Sequence, residues 1–260
     1  MNVVILAGGG LPPDDPLRDR IPDKTPAHKA FLPLGGKPAL QWVLDAVGAC
    51  DRIGEVILIG RNAEEGWTSA KPLHFWPDQG SLTGNARAGL RISSELGPDL
   101  KHTLIASGDI PLITPEMVAW TVDNSLSLDA DIVYHVITKE DMEARFPGSN
   151  RTFVPLKGVR VCGGDLNVFA NRVVDTHAEL WERLANARKS PFKQAAIFGP
   201  GILLGLLLRR FTLDALERTL SRRLELDARA VISPYPEMGM DVDKADQYDL
   251  AIAELEQAKG

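Results

Sequence analysis

Five short runs rich in Val, Ile and Leu punctuate the chain, at residues 3–7, 55–60, 102–106, 131–137 and 229–233, and each predicts a buried strand. Elsewhere apolar positions recur at helical spacing, which predicts helices over 38–49, 82–96, 115–124, 172–189, 213–224 and 244–258. Thr114 before Pro115 marks one helix start, because a threonine hydroxyl caps free N–H groups and proline is tolerated at the first helical position. Asp243 is placed to cap the last helix. Strands alternating with helices predict an α/β chain wound around a mostly parallel sheet. In open sheets of that kind ligands sit beyond the carboxyl ends of the strands. The residues to inspect are therefore Gly8-Gly9-Gly10, Ser107-Gly108-Asp109, Gly163-Gly164-Asp165 and Asp241-Val242-Asp243.

Composition narrows the partners more than the fold. The 260 residues are 44% hydrophobic and 25% charged, which suits one substantial core, and no Ser/Gly linker, low-complexity run or repeat divides them. A single domain over residues 1–260 is expected. A net charge of -6 argues against nucleic acid as a partner, whereas small phosphorylated substrates need only a few local cations. Met1 leads straight into an apolar strand with no basic segment, unlike a signal peptide, and Cys50 and Cys162 read as buried small hydrophobes of a reducing compartment, so a cytoplasmic protein is expected. The apolar stretch 197–208 is too short for the roughly 20 residues that span a bilayer. It reads as a core helix, with contact to a membrane surface beside Arg209 and Arg210 as the competing reading. The five histidines have no metal or triad spacing, and Trp67, Trp76, Trp120 and Trp181 read as packing residues.

Leu6-Ala7-Gly8-Gly9-Gly10 ends the first strand without bulk, so backbone N–H groups there can approach a nucleotide closely, although the same glycines would also serve a simple tight turn. No Gly-x-Gly-x-x-Gly leads into a helix, which excludes the dinucleotide fingerprint. Downstream, Lys29-Ala30-Phe31-Leu32-Pro33-Leu34-Gly35-Gly36-Lys37-Pro38 runs into a helix. The two segments together resemble the opening of the MobA-like NTP transferase family, nucleotidyltransferases of the Rossmann-like (GT-A type) fold. That resemblance implies a mixed sheet with a small acceptor-binding β insertion, a loop wrapping the nucleoside triphosphate, and a phosphate contact at Lys29. Lys37 reads as support for the turn before Pro38. The family's commonest version has an arginine within two or three residues of the last glycine. Here Leu11 to Arg20 intervenes, leaving Arg18, Arg20 or Lys24 to supply that charge.

Further segments follow in the family's order. Ser107-Gly108-Asp109-Ile110-Pro111 resembles its Gly-Asp-x-Pro, which implies that Asp109 coordinates a metal. Mg²⁺ prefers oxygen ligands, commonly one or two carboxylates with substrate phosphates. Asp241 is the expected second ligand, with Asp243 mainly the helix cap or the two roles exchanged. The stretch 79–85 aligns with the family's base-side segment, so Gln79, Gly80 and Asn85 are expected at the nucleotide with Leu6, Ala7, Gly8, Gly9, Gly10, Ser107 and Gly108; Gln79 and Asn85 would equally satisfy the helix start. Arg151, Lys157, Gly164, Asp165 and Asn167 are the expected acceptor side, with a plain polar hairpin as the alternative.

The resemblance thus implies a nucleotide part in 1–137, an acceptor part in 138–228, and a return strand, metal loop and last helix in 229–260. It implies transfer of a nucleoside monophosphate from a triphosphate to a small phosphorylated acceptor, with Mg²⁺ or Mn²⁺ and catalysis by Lys29, Asp109 and Asp241. A nucleotide-sugar-dependent glycosyltransferase and a catalytically silent nucleotide-binding regulator are the competing readings.

Overall fold

The computed structural model describes residues 1–23, 25–174, 201, 205 and 208–257. In chain order the first half comprises β1 (Asn2–Leu6), β2 (Pro33–Leu34), β3 (Lys37–Pro38), α1 (Ala39–Ala49), β4 (Val56–Ile59), β5 (Leu73–Trp76), α2 (Leu82–Leu96), β6 (His102–Ser107) and α3 (Pro115–Leu128). The second half adds β7 (Ile132–Thr138), α4 (Lys139–Arg145), β8 (Val154–Pro155), β9 (Arg160–Gly163), β10 (Leu166–Ala170), α5 (Leu213–Leu224), β11 (Ala228–Ile232) and α6 (Ala245–Gln257). The main sheet runs β5-β4-β1-β6-β10-β7-β9-β8, with β11 beside β7, while β2 and β3 form a small separate ribbon.

Strands β5, β4, β1 and β6 are parallel, as is the β7–β11 pair, whereas β10 lies antiparallel between β6 and β7. This is a Rossmann-like mixed sheet flanked by helices. Alternation along β1 explains the layering: Val3 and Ile5 face the large core under α1, α3 and α6, and Val4 faces the smaller one under α2. Ser81, Thr114 and Thr212 cap α2, α3 and α5 by accepting N–H groups of the first turn.

All five expected strands and most of the helices appear within a few residues of their expected limits. The expected helix 172–189 falls mainly outside the described residues; its start, Asn171–Val174, is a 3-10 turn. The 197–208 stretch also lies largely outside them. Among the described residues no helix is long and apolar enough to cross a membrane. Asp243 does not cap α6 as expected, because its carboxylate pairs with Lys29, while its own N–H donates to the Gln247 side chain at 2.9 Å.

Strands β9 and β10 form one antiparallel run along β7, broken between Gly163, opposite Val136, and Val168, opposite Val133. Five steps on that run therefore face three on β7, a bulge that takes residues 164–167 out of the pairing with β7 while Leu166 and Asn167 stay paired with β6. Asn167 repairs the gap by accepting the His135 N–H at 2.8 Å and donating to the Gly164 carbonyl at 2.8 Å. Asp165 is thereby turned toward the carboxyl ends of β1 and β6, with its own N–H held by the Met238 carbonyl at 2.7 Å. Buried beneath the bulge, His135 has its pKa lowered to about 4 by desolvation and is neutral at pH 7.

Helix α2 approaches β1 closely because it carries glycine at its contact point: a Cβ on Gly89 would lie 2.3 Å from Cγ1 of Val4. Gly89→Val is expected to destabilise the fold by about 2 kcal/mol through overpacking, read as a lower urea midpoint. An unchanged midpoint would show that α2 is free to move off the sheet.

Candidate active site

The carboxyl ends of β1 and β6, with the loop between β5 and α2, open into a cleft of about 440 Å³. Leu6, Ala7, Gly8, Gly9, Gly10, Lys29, Gly80, Asn85, Ser107, Gly108 and Asp109 all line it. A Cβ on Gly8 would sit 2.7 Å from Nδ2 of Asn85 and 2.8 Å from the Asp78 carboxylate, so a larger residue there would displace both side chains. Gly9 has φ +79°, a left-handed conformation that glycine adopts freely.

Asp78, which lies in no sequence motif, organises this end of the cleft. Its carboxylate accepts from Gly9 N–H at 3.0 Å, Gly80 N–H at 2.9 Å and the Asn85 amide at 3.0 Å. Desolvation pushes its pKa up, but these three bonds outweigh it and hold the carboxyl below its ordinary value. Asn85 is also committed on its other side, accepting Gln79 N–H at 2.6 Å. Its amide therefore shapes the loop. Gln79 is exposed, lies outside the cleft lining and donates to the Pro77 carbonyl at 2.7 Å. His28 also lines the cleft and was assigned no chemistry from its spacing. Its Nδ1 accepts Ala30 N–H at 2.9 Å, shaping the 3-10 turn that presents Lys29, and desolvation followed by the nearby Arg61 lowers its pKa to about 4.

At the cleft's rim Asp109, Asp241 and Asp243 each offer a carboxylate oxygen, all within 4.8 Å of one another. Cations hold them together. Lys29 Nζ lies 3.1 Å from Asp109 and also pairs with Asp243, and Arg151 pairs with Asp241. The backbone reinforces the closure, since Val242 N–H donates to the Asp109 carbonyl at 2.9 Å. Lys244 and Gln247 bond the carbonyls of Asn150 and Ser149, which fixes the loop carrying Arg151 against the start of α6. Oδ1 of Asp241 is buried and its charge is met by the Arg151 guanidinium, so a metal taking this oxygen would have to displace Arg151. The all-oxygen donor set fits a hard divalent cation.

Asp165 stands beside this cluster, and Ser107 N–H donates to its carbonyl at 3.0 Å. Burial, then the charge of Asp109, pushes its pKa up to about 7. Gly164 and Asn167 line an adjoining cavity with Asp165. Lys157 is not brought to either cavity; it is exposed, and its N–H is bonded to the Phe211 carbonyl at 2.8 Å. Arg18 donates to the Leu11 carbonyl at 2.8 Å, and Arg20 lies 3.7 Å from Asp249 and over the Tyr248 ring, so both brace the loop. Lys24 lies outside the described residues. Lys37 pairs with Asp45 and covers the Trp42 ring at 3.7 Å, consistent with a supporting role before Pro38.

A model of the MobA-like NTP transferase domain matches residues 3–235, ending before Asp241. A hypothetical transferase from Thermus thermophilus superposes with a TM-score of 0.78 at 31% identity, covering 95% of this chain and 98% of that one. The 4-diphosphocytidyl-2C-methyl-D-erythritol synthase of Anaerococcus prevotii shares the fold, with a TM-score of 0.55 at 14% identity over 98% of this chain and 95% of that one. Among curated proteins, the bifunctional protein GlmU of Listeria innocua serovar 6a is 31% identical over 90 residues, 35% of this chain and only 20% of that protein.

The three bonds to Asp78 generate one test. Asp78→Ala is expected to weaken binding of the magnesium–triphosphate complex at least about tenfold, roughly 1.4 kcal/mol, by freeing Gly9 and the loop at 78–85. Calorimetric titration giving wild-type affinity would remove Asp78 from the site's architecture.

Proposed function

Because the chain belongs to the MobA-like NTP transferase family, we propose that it moves a nucleoside monophosphate from a nucleoside triphosphate onto a small phosphorylated acceptor, a sugar, polyol or cofactor precursor. The observation that carries this reading is the convergence of Lys29, Asp109, Asp241 and Asp243 at the rim of a glycine-lined cleft. An acceptor oxygen forms a bond to the α-phosphorus, the bond from that phosphorus to the bridging oxygen breaks, and pyrophosphate leaves with the electron pair. Such a transfer is governed by positioning and charge neutralisation, with no covalent enzyme intermediate required. Asp109 and Asp241, with Asp243 beside them, would hold Mg²⁺ or Mn²⁺, which supplies neutralisation of phosphate charge. Lys29 is a point charge on the phosphates once released from the carboxylates it now bridges. Arg151, freed from Asp241 in the same way, is positioned for the acceptor's anionic group.

The glycine turn and the base-side loop seat the nucleotide, and Gly164 and Asp165 border the acceptor. The two free, buried cysteines fit the cytoplasmic setting expected for such substrates. Lys29, a phosphate ligand without a role in sugar transfer, speaks against the glycosyltransferase reading. One observation favours a silent nucleotide-binding regulator as the second reading: Arg18 and Arg20 are both engaged away from the cleft.

Pyrophosphate release with Mg²⁺, the four common triphosphates and a panel of phosphorylated acceptors separates these readings. Asp109→Ala and Lys29→Ala are each expected to lower turnover by about two orders of magnitude or more without shifting the urea midpoint, and chelation by EDTA to abolish it. Near-normal turnover in either variant overturns the assignment, and triphosphate binding without pyrophosphate release across the panel favours the regulator.

A further inference from the structure

Beyond the polar cleft, and sharing its Leu6, Leu82 and Ser107 walls, lies a second cavity of about 320 Å³ between α2 and the sheet. Its character is the reverse of the first. Ala86 and Leu90 of α2, Ile105 of β6 and Phe169 of β10 give it apolar walls. Two charged groups interrupt them. Asp165 is thrust in by the bulge, and its Oδ2 is buried without a hydrogen-bond partner. Arg87 projects from α2 with its Nε buried and unpartnered, and it makes no ion pair among the described residues. The helix sets their spacing: Arg87 lies five residues past Leu82, about 7.5 Å of helical rise from the shared wall. Asp165 lies beside that wall, where Ser107 holds its carbonyl.

A buried guanidinium N–H with no acceptor is costly unless a ligand supplies one, and apolar walls around it favour an apolar body. We propose that this cavity receives the acceptor, and that the acceptor is amphipathic: an apolar skeleton against Ala86, Leu90, Ile105 and Phe169, and, apart from the reacting phosphate assigned to Arg151, an anionic group on Arg87. Its reacting group then points past Asp165 into the nucleotide cleft. The proposal rests on the nucleotidyltransferase reading and adds to it the class of acceptor. Arg87 becomes a specificity-determining residue that touches the substrate away from the reacting atoms. A sugar phosphate, polar along its whole length, matches these walls poorly.

The test uses the full-length protein with Mg²⁺ and an α,β-methylene triphosphate bound, so that the first cleft is filled. Inorganic phosphate, ethyl, butyl and hexyl phosphate, glycerol 3-phosphate and hexanol are then titrated calorimetrically. Affinity is expected to rise about fourfold per added methylene from ethyl to hexyl phosphate, with glycerol 3-phosphate and hexanol both much weaker than hexyl phosphate. Arg87→Met should lower hexyl phosphate affinity at least tenfold and leave that of the triphosphate analogue unchanged, while Arg87→Lys retains most of it. A flat alkyl series with normal analogue binding overturns this inference alone, as does equal hexyl phosphate affinity in wild type and Arg87→Met. Failure of the analogue to bind overturns the nucleotidyltransferase reading and this inference with it. The alkyl series in the wild-type protein decides the matter even if the Arg87 variants do not fold.

Discussion

Three carboxylates confined within 4.8 Å cannot share a site unless opposite charge is brought to them, and much of the architecture around the cleft serves that requirement. Two like unit charges about 4 Å apart at an effective dielectric near 20 repel by about 4 kcal/mol, less at the more exposed Asp243. Lys29 arrives on a 3-10 turn shaped by His28, Arg151 on a loop latched to α6, Asp109 at the end of β6, and Asp241 and Asp243 on the chain entering the last helix. Segments more than 200 residues apart meet at one point, as in the Lys29–Asp243 pair, where the separation is 214. The two cations sit on the carboxylates that a divalent ion would take, while a bound triphosphate would draw those cations to itself. Lys29 and Arg151 are thereby held close to the phosphates they are proposed to meet.

The bulge between β9 and β10 performs the complementary task. By taking residues 164–167 out of the pairing with β7 it aims Asp165 at the junction of the two cavities, and Asn167 pays for the interruption with its side-chain amide. One cavity is glycine-lined and polar, and the other is largely apolar with Arg87 making no ion pair among the described residues. Their shared wall at Leu6, Leu82 and Ser107 is where a nucleotide and an acceptor would come together.

The strands and the large helices were legible in the sequence because each carries a strong local signal, such as the uninterrupted Val56–Ile59 or the Thr114-Pro115 start of α3. The ordered motifs of Lys29, Asp109 and Asp241 likewise brought distant residues to one place. What escaped was set by tertiary pairing. Leu73–Trp76 is a short strand at the sheet's edge with a histidine in it, and β10 gains its place only from β6 and β7 on either side. Asp78 follows a proline with no motif of its own, and its importance appears only when Gly9 and Asn85 are placed against it. Residue type alone does not fix a role: the Asn85 and Asn167 amides are committed to backbone and loop, and Lys157 is exposed on a hairpin outside both cavities.

The central claim is that Asp109, Asp241 and Asp243 form a divalent-cation site completed by a nucleotide. Titration of Mn²⁺ followed by electron paramagnetic resonance tests it directly, with and without triphosphate. The account predicts one bound Mn²⁺ per chain, held more than about tenfold more tightly with triphosphate present and lost in Asp241→Ala. Mn²⁺ binding that is indifferent to triphosphate, or that persists unchanged in Asp241→Ala, would contradict it.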